Sequence, residues 1–222
     1  MKTVVITGAS RGIGRATAKK FLAERWRVVG TYRDNPIGME ENFIGVECDL
    51  SSSESIANAT RKIIDWAPEI DLLVNNAGII LDAHDSAVDL LKVRKTFEVD
   101  LFGIIDFTEK LIPYLRDGAR IINIDSTYGA FSFPIDDKSS AGYRLAKASL
   151  NMYTRILAFN HPDKVVSSLD PGWVRTDMGN AAATEIEGPD RDPQEAAEDI
   201  YRLATENEES GFFWRFGKKR EW

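Results

Sequence analysis

Residues 3–14 read TVVITGASRGIG, and this stretch decides the fold class. Its first part, Thr3 to Thr7, is a short β-branched run typical of a strand buried on both faces. A glycine-rich turn follows, then a helical pattern over Arg15 to Glu24, and then a second apolar run over Arg27 to Tyr32. Strand, turn, helix and strand within about 30 residues predict a βαβ unit and therefore a parallel sheet.

The same alternation continues along the chain. Further strands are predicted at Phe43 to Glu47, Ile70 to Val74, Arg120 to Ile124, Val165 to Leu169 and Gly211 to Phe216. Further helices are predicted at Ser55 to Trp66, Val88 to Leu115, Ser140 to Asn160 and Pro193 to Thr205. This order predicts an α/β fold, a Rossmann-type doubly wound parallel β-sheet with helices on both faces, as a single domain over residues 1–222. The stretch with the weakest pattern, Asn180 to Asp192, is expected to be a mobile flap.

Composition excludes several classes of function. The chain has 222 residues, with 28 Lys and Arg against 35 Asp and Glu, so its net charge is -7. An acidic chain is a poor general partner for nucleic acid or an anionic membrane. One cysteine, Cys48, and two histidines predict neither a disulfide nor a metal site. Because no apolar run reaches the length of a membrane span and the N-terminal apolar run is too short for a signal peptide, we expect a cytoplasmic protein.

The glycine turn spans Thr7 to Gly14 and has the spacing G-x-x-x-G-x-G. Glycine tolerates positive φ and lets the backbone approach a phosphate closely. A helix that begins near Gly12 would direct free N–H groups at that phosphate. The turn therefore indicates a dinucleotide site, with a tight strand-to-helix turn that binds no ligand as the alternative.

This turn resembles that of the classical short-chain dehydrogenase/reductases. Further matches follow in that family's order: Cys48-Asp49-Leu50, Asn75-Asn76-Ala77-Gly78, Ser126, Tyr143-Arg144-Leu145-Ala146-Lys147, and Pro171-Gly172 with Thr176. The resemblance covers nearly the whole chain, and the run from Asp170 to Gly179 is similar to the carbonyl-reductase-like branch. It implies an NADPH-dependent oxidoreductase that reduces an aldehyde or ketone to an alcohol by hydride transfer.

The resemblance also implies which residues bind the nicotinamide cofactor. Asp49 resembles the family's adenine-contacting acid, and the Val174 backbone with the Thr176 side chain would hold the carboxamide. For Asp49 and Thr176, capping a helix is the alternative role. The complete predicted set is Gly8, Ser10, Arg11, Gly12, Ile13, Gly14, Arg33, Asp49, Leu50, Asn76, Ala77, Gly78, Pro171, Gly172, Val174 and Thr176.

The residues after the second strand bear on the choice between NADP(H) and NAD(H). Tyr32 stands about where NAD-preferring relatives have an acid, and Arg33 follows directly. Arg33 and Arg11 would bind the extra phosphate of NADP, because the planar guanidinium fork suits phosphate. In the competing interpretation, Asp34 accepts hydrogen bonds from the ribose hydroxyls of NAD. We expect NADP(H), with NAD(H) as the alternative.

Tyr143 and Lys147 are four residues apart in a predicted helix and therefore share one face. A free tyrosine has a pKa of about 10, and a nearby ammonium group lowers it. We expect Tyr143 to donate a proton to the carbonyl oxygen, with its pKa lowered by Lys147, and Ser126 to orient that oxygen. The resemblance implies that Lys147 also holds the nicotinamide ribose. An ordinary helix face is the alternative.

The chain departs from the family at Asp100, where the family usually has a catalytic Asn; the carboxylate keeps an acceptor and loses the amide donor. The stretch from Phe131 to Gly142 is also longer than in many members. In the carbonyl-reductase-like branch an insertion there can cover the helices used for tetramer formation, so a homo-oligomer (dimer or tetramer) and a monomer both stay open.

The competing functions are an NAD-dependent alcohol dehydrogenase and, because of Asp100, an NADP(H)-binding sensor or scaffold with weak catalysis.

Aromatic residues and a methionine near strand ends predict a mainly apolar small-molecule substrate around a carbonyl, with core packing as their alternative role: Tyr128, Phe131, Phe133, Trp173 and Met178. His84 and His161 are given no catalytic role. The segment from Gly211 to Phe216 is expected to be a buried last strand, followed by a solvated basic end over residues 218–220. An edge strand at a dimer contact is the alternative.

Overall fold

The computed structural model describes residues 1–37, 41–135, 138–184 and 186–222. Its strands are β1 (Thr3–Ile6), β2 (Arg27–Tyr32), β3 (Phe43–Glu47), β4 (Ile70–Asn75), β5 (Leu115–Ile124), β6 (Val165–Asp170), β7 (Phe212–Arg215) and β8 (Lys218–Arg220). They form one sheet in the order β3-β2-β1-β4-β5-β6-β7-β8. Neighbouring strands are parallel except β7 and β8, which are antiparallel.

The helices are α1 (Gly12–Ala23), α2 (Ser53–Trp66), α3 (Leu90–Phe97), α4 (Ile104–Leu111), α5 (Ala141–Asn160), α6 (Asp177–Ala181) and α7 (Pro193–Glu206). They cover both faces of the sheet. On β1 the side chain of Val5 belongs to one core with α2, α4 and α5. The side chains of Val4 and Ile6 belong to a second core with α1 and α7. Side chains alternate across a strand, so this division shows a sheet buried on both faces, and the predicted doubly wound α/β fold is confirmed.

The strand order fixes where a ligand can bind. The chain runs from β1 to β2 and β3 in one direction along the sheet, and then crosses back to β4 on the other side of β1. In such sheets ligands bind beyond the carboxyl ends of the strands, at the point where the order reverses. Thr7 and Asn76, the residues that follow β1 and β4, lie at that point.

The predicted helix from Val88 to Leu115 is divided. Between α3 and α4, Glu98–Gly103 is π-helical, and a 3₁₀ turn at Ile112–Tyr114 contains a proline. β5 then begins at Leu115 rather than at Arg120, because its first part pairs with Ile70 before a register shift between Ile70 and Leu72. A bulge of this kind disguises a strand in the sequence.

The C-terminal segment also differs from its prediction. β7 is not the last strand, because Phe216 and Gly217 both take positive φ, +52° and +68°, and turn the chain into β8. Two consecutive positive-φ residues form the tight turn that suits a hairpin. The basic residues of β8 are exposed, as predicted, but they form the edge strand of the sheet.

Two further predicted features involve residues outside the described ranges. The stretch from Phe131 to Gly142 includes residues 136–137, and the stretch from Asn180 to Asp192 includes residue 185. The end of the second stretch is tied to the strand-end loop, because the N–H of Arg175 donates to the carbonyl of Arg191 at 2.8 Å. None of the described helices is both long and apolar enough to cross a membrane.

Candidate active site

A cavity of about 1050 Å³ lies along the carboxyl ends of the strands. Small-molecule sites are typically about 300–1,000 Å³, so this cavity has the size for a large ligand. Every residue predicted from the sequence to be catalytic or cofactor-binding borders the cavity except Gly14. The predicted set is therefore gathered in one place.

The glycine turn has the geometry of a phosphate cradle. Gly8 and Gly12 take positive φ, +68° and +56°, which residues with a Cβ rarely adopt. Gly14 lets helix α1 pack closely against the turn, since a Cβ at this position would lie 2.3 Å from the carbonyl oxygen of Gly8. Arg11, at the N-cap of α1, makes no side-chain hydrogen bond to the first turn of the helix. The cradle and the helix N-terminus therefore fit a dinucleotide pyrophosphate.

The ends of β1 and β4 are joined beneath this cradle. The hydroxyl oxygen of Thr7 accepts hydrogen bonds from the N–H groups of Asn76 and Ala77, both at 2.9 Å. The Asn76 amide in turn donates to the carbonyl of Thr7 at 2.8 Å. These bonds hold Gly8 against Ala77 at the floor of the cavity.

The two arginines predicted to bind the extra phosphate of NADP each form an ion pair with a carboxylate. Nε of Arg33 lies 2.6 Å from Oδ2 of Asp34, and Nη1 of Arg11 lies 2.6 Å from Oδ2 of Asp177. All four side chains are more than half exposed. Exposed pairs contribute little, about 0–1 kcal/mol, so a bound anion can displace either carboxylate.

The alternative role of capping a helix is present for Thr176 and not for Asp49, because the N-cap of α2 is Ser52. Oδ1 of Asp49 accepts hydrogen bonds from the N–H and hydroxyl of Ser51, at 2.9 and 2.7 Å, just before α2. The hydroxyl oxygen of Thr176 caps α6 by accepting from the N–H of Gly179 at 3.0 Å. Both side chains still border the cavity, so these local hydrogen bonds are compatible with ligand contact.

Tyr143 and Lys147 lie one turn apart on α5. Nζ of Lys147 is 5.5 Å from the centre of the Tyr143 ring and donates a hydrogen bond to the carbonyl of Ile124 at 3.0 Å. Ser126 follows β5, and its hydroxyl oxygen accepts from the N–H of Tyr128 at 3.1 Å. Strand β5 and helix α5 therefore bring the three predicted catalytic side chains to the same cavity.

Asp100 lies in the π-helical segment and is fully buried. Its Oδ1 accepts a hydrogen bond from the N–H of Ile79 at 2.8 Å, and its Oδ2 is 3.6 Å from Nζ of Lys147. Burial raises the pKa of Asp100 to about 6, against the opposing effect of Lys147. The residue that departs from the family thus faces Lys147 with its side chain.

The pKa of Tyr143 differs from the expectation. Burial raises it to about 12, although the charge of Lys147 acts to lower it. The nearby carboxylates of Asp100, Asp125 and Asp170 raise it further. Lys147 therefore acts on this pKa in the predicted direction, but without a bound ligand the net shift is upward, because desolvation of the phenolate outweighs the ammonium.

Among the charged residues that border the cavity and were given no site role from the sequence, three lie at strand ends. Asp125 directly follows β5, Asp170 is the last residue of β6, and Arg215 is the last residue of β7. Burial raises the pKa of Asp125 to about 8, while Lys147 acts to lower it. A signal for the two acids was available, since each is a polar residue at the end of a buried apolar run.

At the substrate end, four of the five predicted pocket residues border the cavity: Tyr128, Phe133, Trp173 and Met178. The prediction for Phe131 is wrong, because its side chain is 89% exposed and does not border the cavity. His84, which was given no role, borders the cavity, and its Nε2 lies 2.8 Å from the carbonyl oxygen of Ala181.

A family model, a curated relative and two solved structures that resemble this chain are all named as dehydrogenases or reductases. The family model of the short chain dehydrogenases matches residues 2–187. A 3-oxoacyl-(acyl-carrier-protein) reductase of Aquifex aeolicus is 31% identical over 201 residues, which are 83% of this chain and 79% of the relative. The NADPH-bound carbonyl reductase from chicken fatty liver has a TM-score of 0.89 at 26% identity, over 100% of this chain and 99% of that one. The ligand-free aldohexose dehydrogenase of Thermoplasma acidophilum has a TM-score of 0.83 at 26% identity, over 97% and 92%.

Proposed function

The chain belongs to the short-chain dehydrogenase family of oxidoreductases, and from that premise we propose that it is an NADPH-dependent carbonyl reductase. It would reduce an aldehyde or ketone to an alcohol, as one domain over residues 1–222. One observation carries the proposal: a single cavity connects the glycine cradle with Ser126, Tyr143 and Lys147. A site for a dinucleotide and a site for proton transfer are thus open to each other.

The glycine cradle and the strand-end loop after β6 would hold the cofactor. Gly8, Gly12 and the N-terminus of α1 suit the pyrophosphate, and the loop at Pro171 to Thr176 borders the same cavity further along. When bound, the nicotinamide supplies the hydride, and this chain's own residues supply the proton and the orientation of the carbonyl.

Tyr143 would be the proton donor. A pKa raised by burial keeps its phenol protonated at neutral pH, which is the form required for reduction. As the carbonyl oxygen gains negative charge, the O–H of Tyr143 donates its proton to it. Lys147 stabilises the phenolate that remains, and the Ser126 hydroxyl donates a hydrogen bond to the same oxygen.

The preference for NADPH rests on Arg11 and Arg33. Both border the cavity beside the glycine turn and the end of β2, and both make exposed ion pairs that a phosphate can displace. The NADPH bound to the carbonyl reductase from chicken fatty liver supports the same choice.

A second candidate function is NAD-dependent oxidation of an alcohol. Its specific support is Asp34, which borders the cavity and already neutralises Arg33 at 2.6 Å. In that arrangement the carboxylate of Asp34 would accept hydrogen bonds from the ribose hydroxyls of NAD and keep its ion pair with Arg33. The catalytic residues serve either direction, so the cofactor decides between the two candidates.

The test is a titration of the purified protein with NADPH and with NADH, followed by absorbance assays with a panel of aldehydes and ketones. We expect tighter binding of NADPH and carbonyl-dependent oxidation. Tyr143→Phe should lower turnover by about 10²–10⁴-fold and leave cofactor binding near normal. Tyr114→Phe, a tyrosine outside the cavity lining, is the matched control. Tight binding without turnover on any compound would favour the sensor or scaffold, and full activity of Tyr143→Phe would exclude it as the acid.

A further inference from the structure

The floor of the candidate site holds an imbalance of charge. Three carboxylates, the acid cluster of Asp100, Asp125 and Asp170, are each at least 97% buried and border the cavity. The cations that face them are Lys147 from α5 and Arg215 from β7. Three acids therefore share two positive charges among the described residues of this floor.

Two members of the acid cluster have a counter-charge within 4 Å. Oδ2 of Asp170 lies 3.2 Å from Nε of Arg215, and the same carboxylate accepts hydrogen bonds from the N–H groups of Thr127 and Gly172. Oδ2 of Asp100 lies 3.6 Å from Nζ of Lys147. These pairings use both cations.

Asp125 is the member that remains. Its Oδ1 accepts a hydrogen bond from the N–H of Ser126 at 2.7 Å, and its Oδ2 is buried with no hydrogen-bond partner among the described residues. The titratable groups around it are Lys147 and Tyr143 on α5, Asp100 on the π-helical segment and Asp170 on β6. A buried carboxyl without its own counter-charge takes a proton rather than remain ionised.

We propose that Asp125 is a proton-binding residue of the site. It is neutral when no cationic ligand occupies the cavity, and it releases its proton when the positively charged, oxidised nicotinamide binds. This inference rests on the proposed function. In the release, the carboxyl O–H bond breaks, the electron pair stays on the oxygen, and the proton passes to the buffer. The burial that raises the pKa of Asp125 to about 8 agrees with the neutral form at pH 7.

The two redox forms of the cofactor provide the contrast that isolates this effect. Oxidised nicotinamide carries one positive charge and reduced nicotinamide carries none, while both forms share the adenosine and its phosphates. A cation that shares the cavity with Asp125 stabilises the carboxylate, so its binding lowers the pKa of that group. Because binding and proton release are linked, the oxidised form should bind more tightly as pH rises, and the reduced form should not.

The experiment is calorimetric titration of the ligand-free protein with NADP⁺ and with NADPH at pH 7, in two buffers of different ionisation enthalpy. If the protein binds NAD⁺ and NADH but not NADP⁺ and NADPH, the titrations use NAD⁺ and NADH instead. We expect NADP⁺ to release about half to one proton more than NADPH. The Kd of NADP⁺ should fall between pH 6 and 8, by at most about tenfold per pH unit, and become constant above pH 8.

Variants identify the source of the proton. Asp125→Asn, and Asp125→Ser as a second variant if the first folds poorly, should lose both the proton release and the pH dependence. Tyr143→Phe should keep them, because the proton comes from the carboxyl and not from the phenol. Glu187→Gln, a matched carboxylate removal at an exposed position of the cavity lining, should also keep them.

The outcomes separate this inference from the proposed function. If neither redox form of either dinucleotide binds, the proposed function fails and this inference fails with it. If both forms bind and the release is absent in the wild type, or persists in both Asp125 variants, only the role of Asp125 is overturned. Release that disappears in Tyr143→Phe would assign the proton to the tyrosine instead.

Discussion

Nζ of Lys147 lies 3.6 Å from Oδ2 of Asp100, and both side chains are almost fully buried. The pKa of Lys147 is raised, since the carboxylates of Asp100 and Asp125 and the phenol of Tyr143 outweigh the opposing effect of burial. The ammonium therefore stays charged, but part of its field is neutralised before it reaches Tyr143. An asparagine at position 100 would leave that field available to the phenol.

The first prediction follows from this pair. Asp100→Asn removes a carboxylate that raises the pKa of Tyr143, so that pKa should fall. The alkaline limb of the pH profile of kcat, measured with the best carbonyl substrate, should move to lower pH. Asp106→Asn, in helix α4 and outside the cavity lining, is the control and should leave the limb in place. An unmoved limb in Asp100→Asn would mean that Asp100 does not act on Tyr143.

The second prediction concerns the ion pair of Arg33 with Asp34. Arg33→Ala should weaken NADPH binding by about tenfold or more and NADH binding much less, because a hydrogen bond between charged groups contributes about 1.5–3 kcal/mol. Asp34→Asn should strengthen NADPH binding, since it frees Arg33. Dissociation constants from fluorescence titration decide the matter. A loss of NADH binding in Asp34→Asn, with NADPH unchanged, would assign Asp34 to the ribose of NAD.

Local patterns in the sequence predict much of this structure. The β-branched run before Gly8 and the helical pattern after it depend on neighbouring residues alone, and they form β1 and α1 as expected. Parallel topology brings the carboxyl ends of strands together, so motifs far apart in the sequence were expected at one edge. For the same reason, all the predicted catalytic and cofactor-binding residues except Gly14 border one cavity.

Features that depend on burial could not be predicted in this way. The raised pKa of Tyr143 follows from desolvation, which the spacing of Tyr143 and Lys147 does not reveal. The acid cluster forms because β5, β6 and the π-helical segment converge, and no local pattern reports that convergence. The β5 bulge and the turn at Phe216 were likewise hidden, because strand pairing and positive φ decide them.

Gly14 supports the cavity without lining it, which gives the third prediction. In Gly14→Ala the new Cβ would lie 2.3 Å from the carbonyl oxygen of Gly8, so α1 must move away from the turn. Overpacking of this kind costs about 1–3 kcal/mol, and we expect that loss in urea unfolding together with weaker dinucleotide binding. Gly188→Ala, where the nearest atom is 3.8 Å away, should change neither quantity. Unchanged binding in Gly14→Ala would argue against a close fit of the cradle.

The fourth prediction concerns a buried hydrogen-bond chain that joins β4, β5 and α5. The Asn75 amide donates to Oδ1 of Asn123 at 2.8 Å, and the Asn123 amide donates to the hydroxyl of Thr154 at 2.8 Å. Asn123→Ala leaves both partners buried without these bonds and should lower the free energy of unfolding by about 2–4 kcal/mol. The exposed Asn58→Ala is the control, with an expected change below about 0.5 kcal/mol. Equal stability of the two variants would show that this chain contributes nothing.

The last prediction is the effect of Asp125 on stability as a function of pH. Its pKa is raised from 3.8 to about 8 in the folded protein, so between these values the folded state holds a proton that the unfolded state has lost. Stability of the wild type should therefore fall as pH rises through this window, by at most about 1.4 kcal/mol per pH unit from this group. Below pH 4 the carboxyl is protonated in both states, and above pH 8 it is ionised in both, so the contribution is constant there.

Asp125→Asn removes this titration, since an amide does not ionise. Urea unfolding of the two proteins without ligand, from pH 4 to 9, should therefore give a difference in free energy that grows in favour of the variant up to about pH 8 and then stays level. The comparison uses the change with pH, so any constant cost of the substitution cancels. Parallel curves across the whole range would mean that Asp125 is ionised in the folded protein and that a positive charge there compensates its carboxylate.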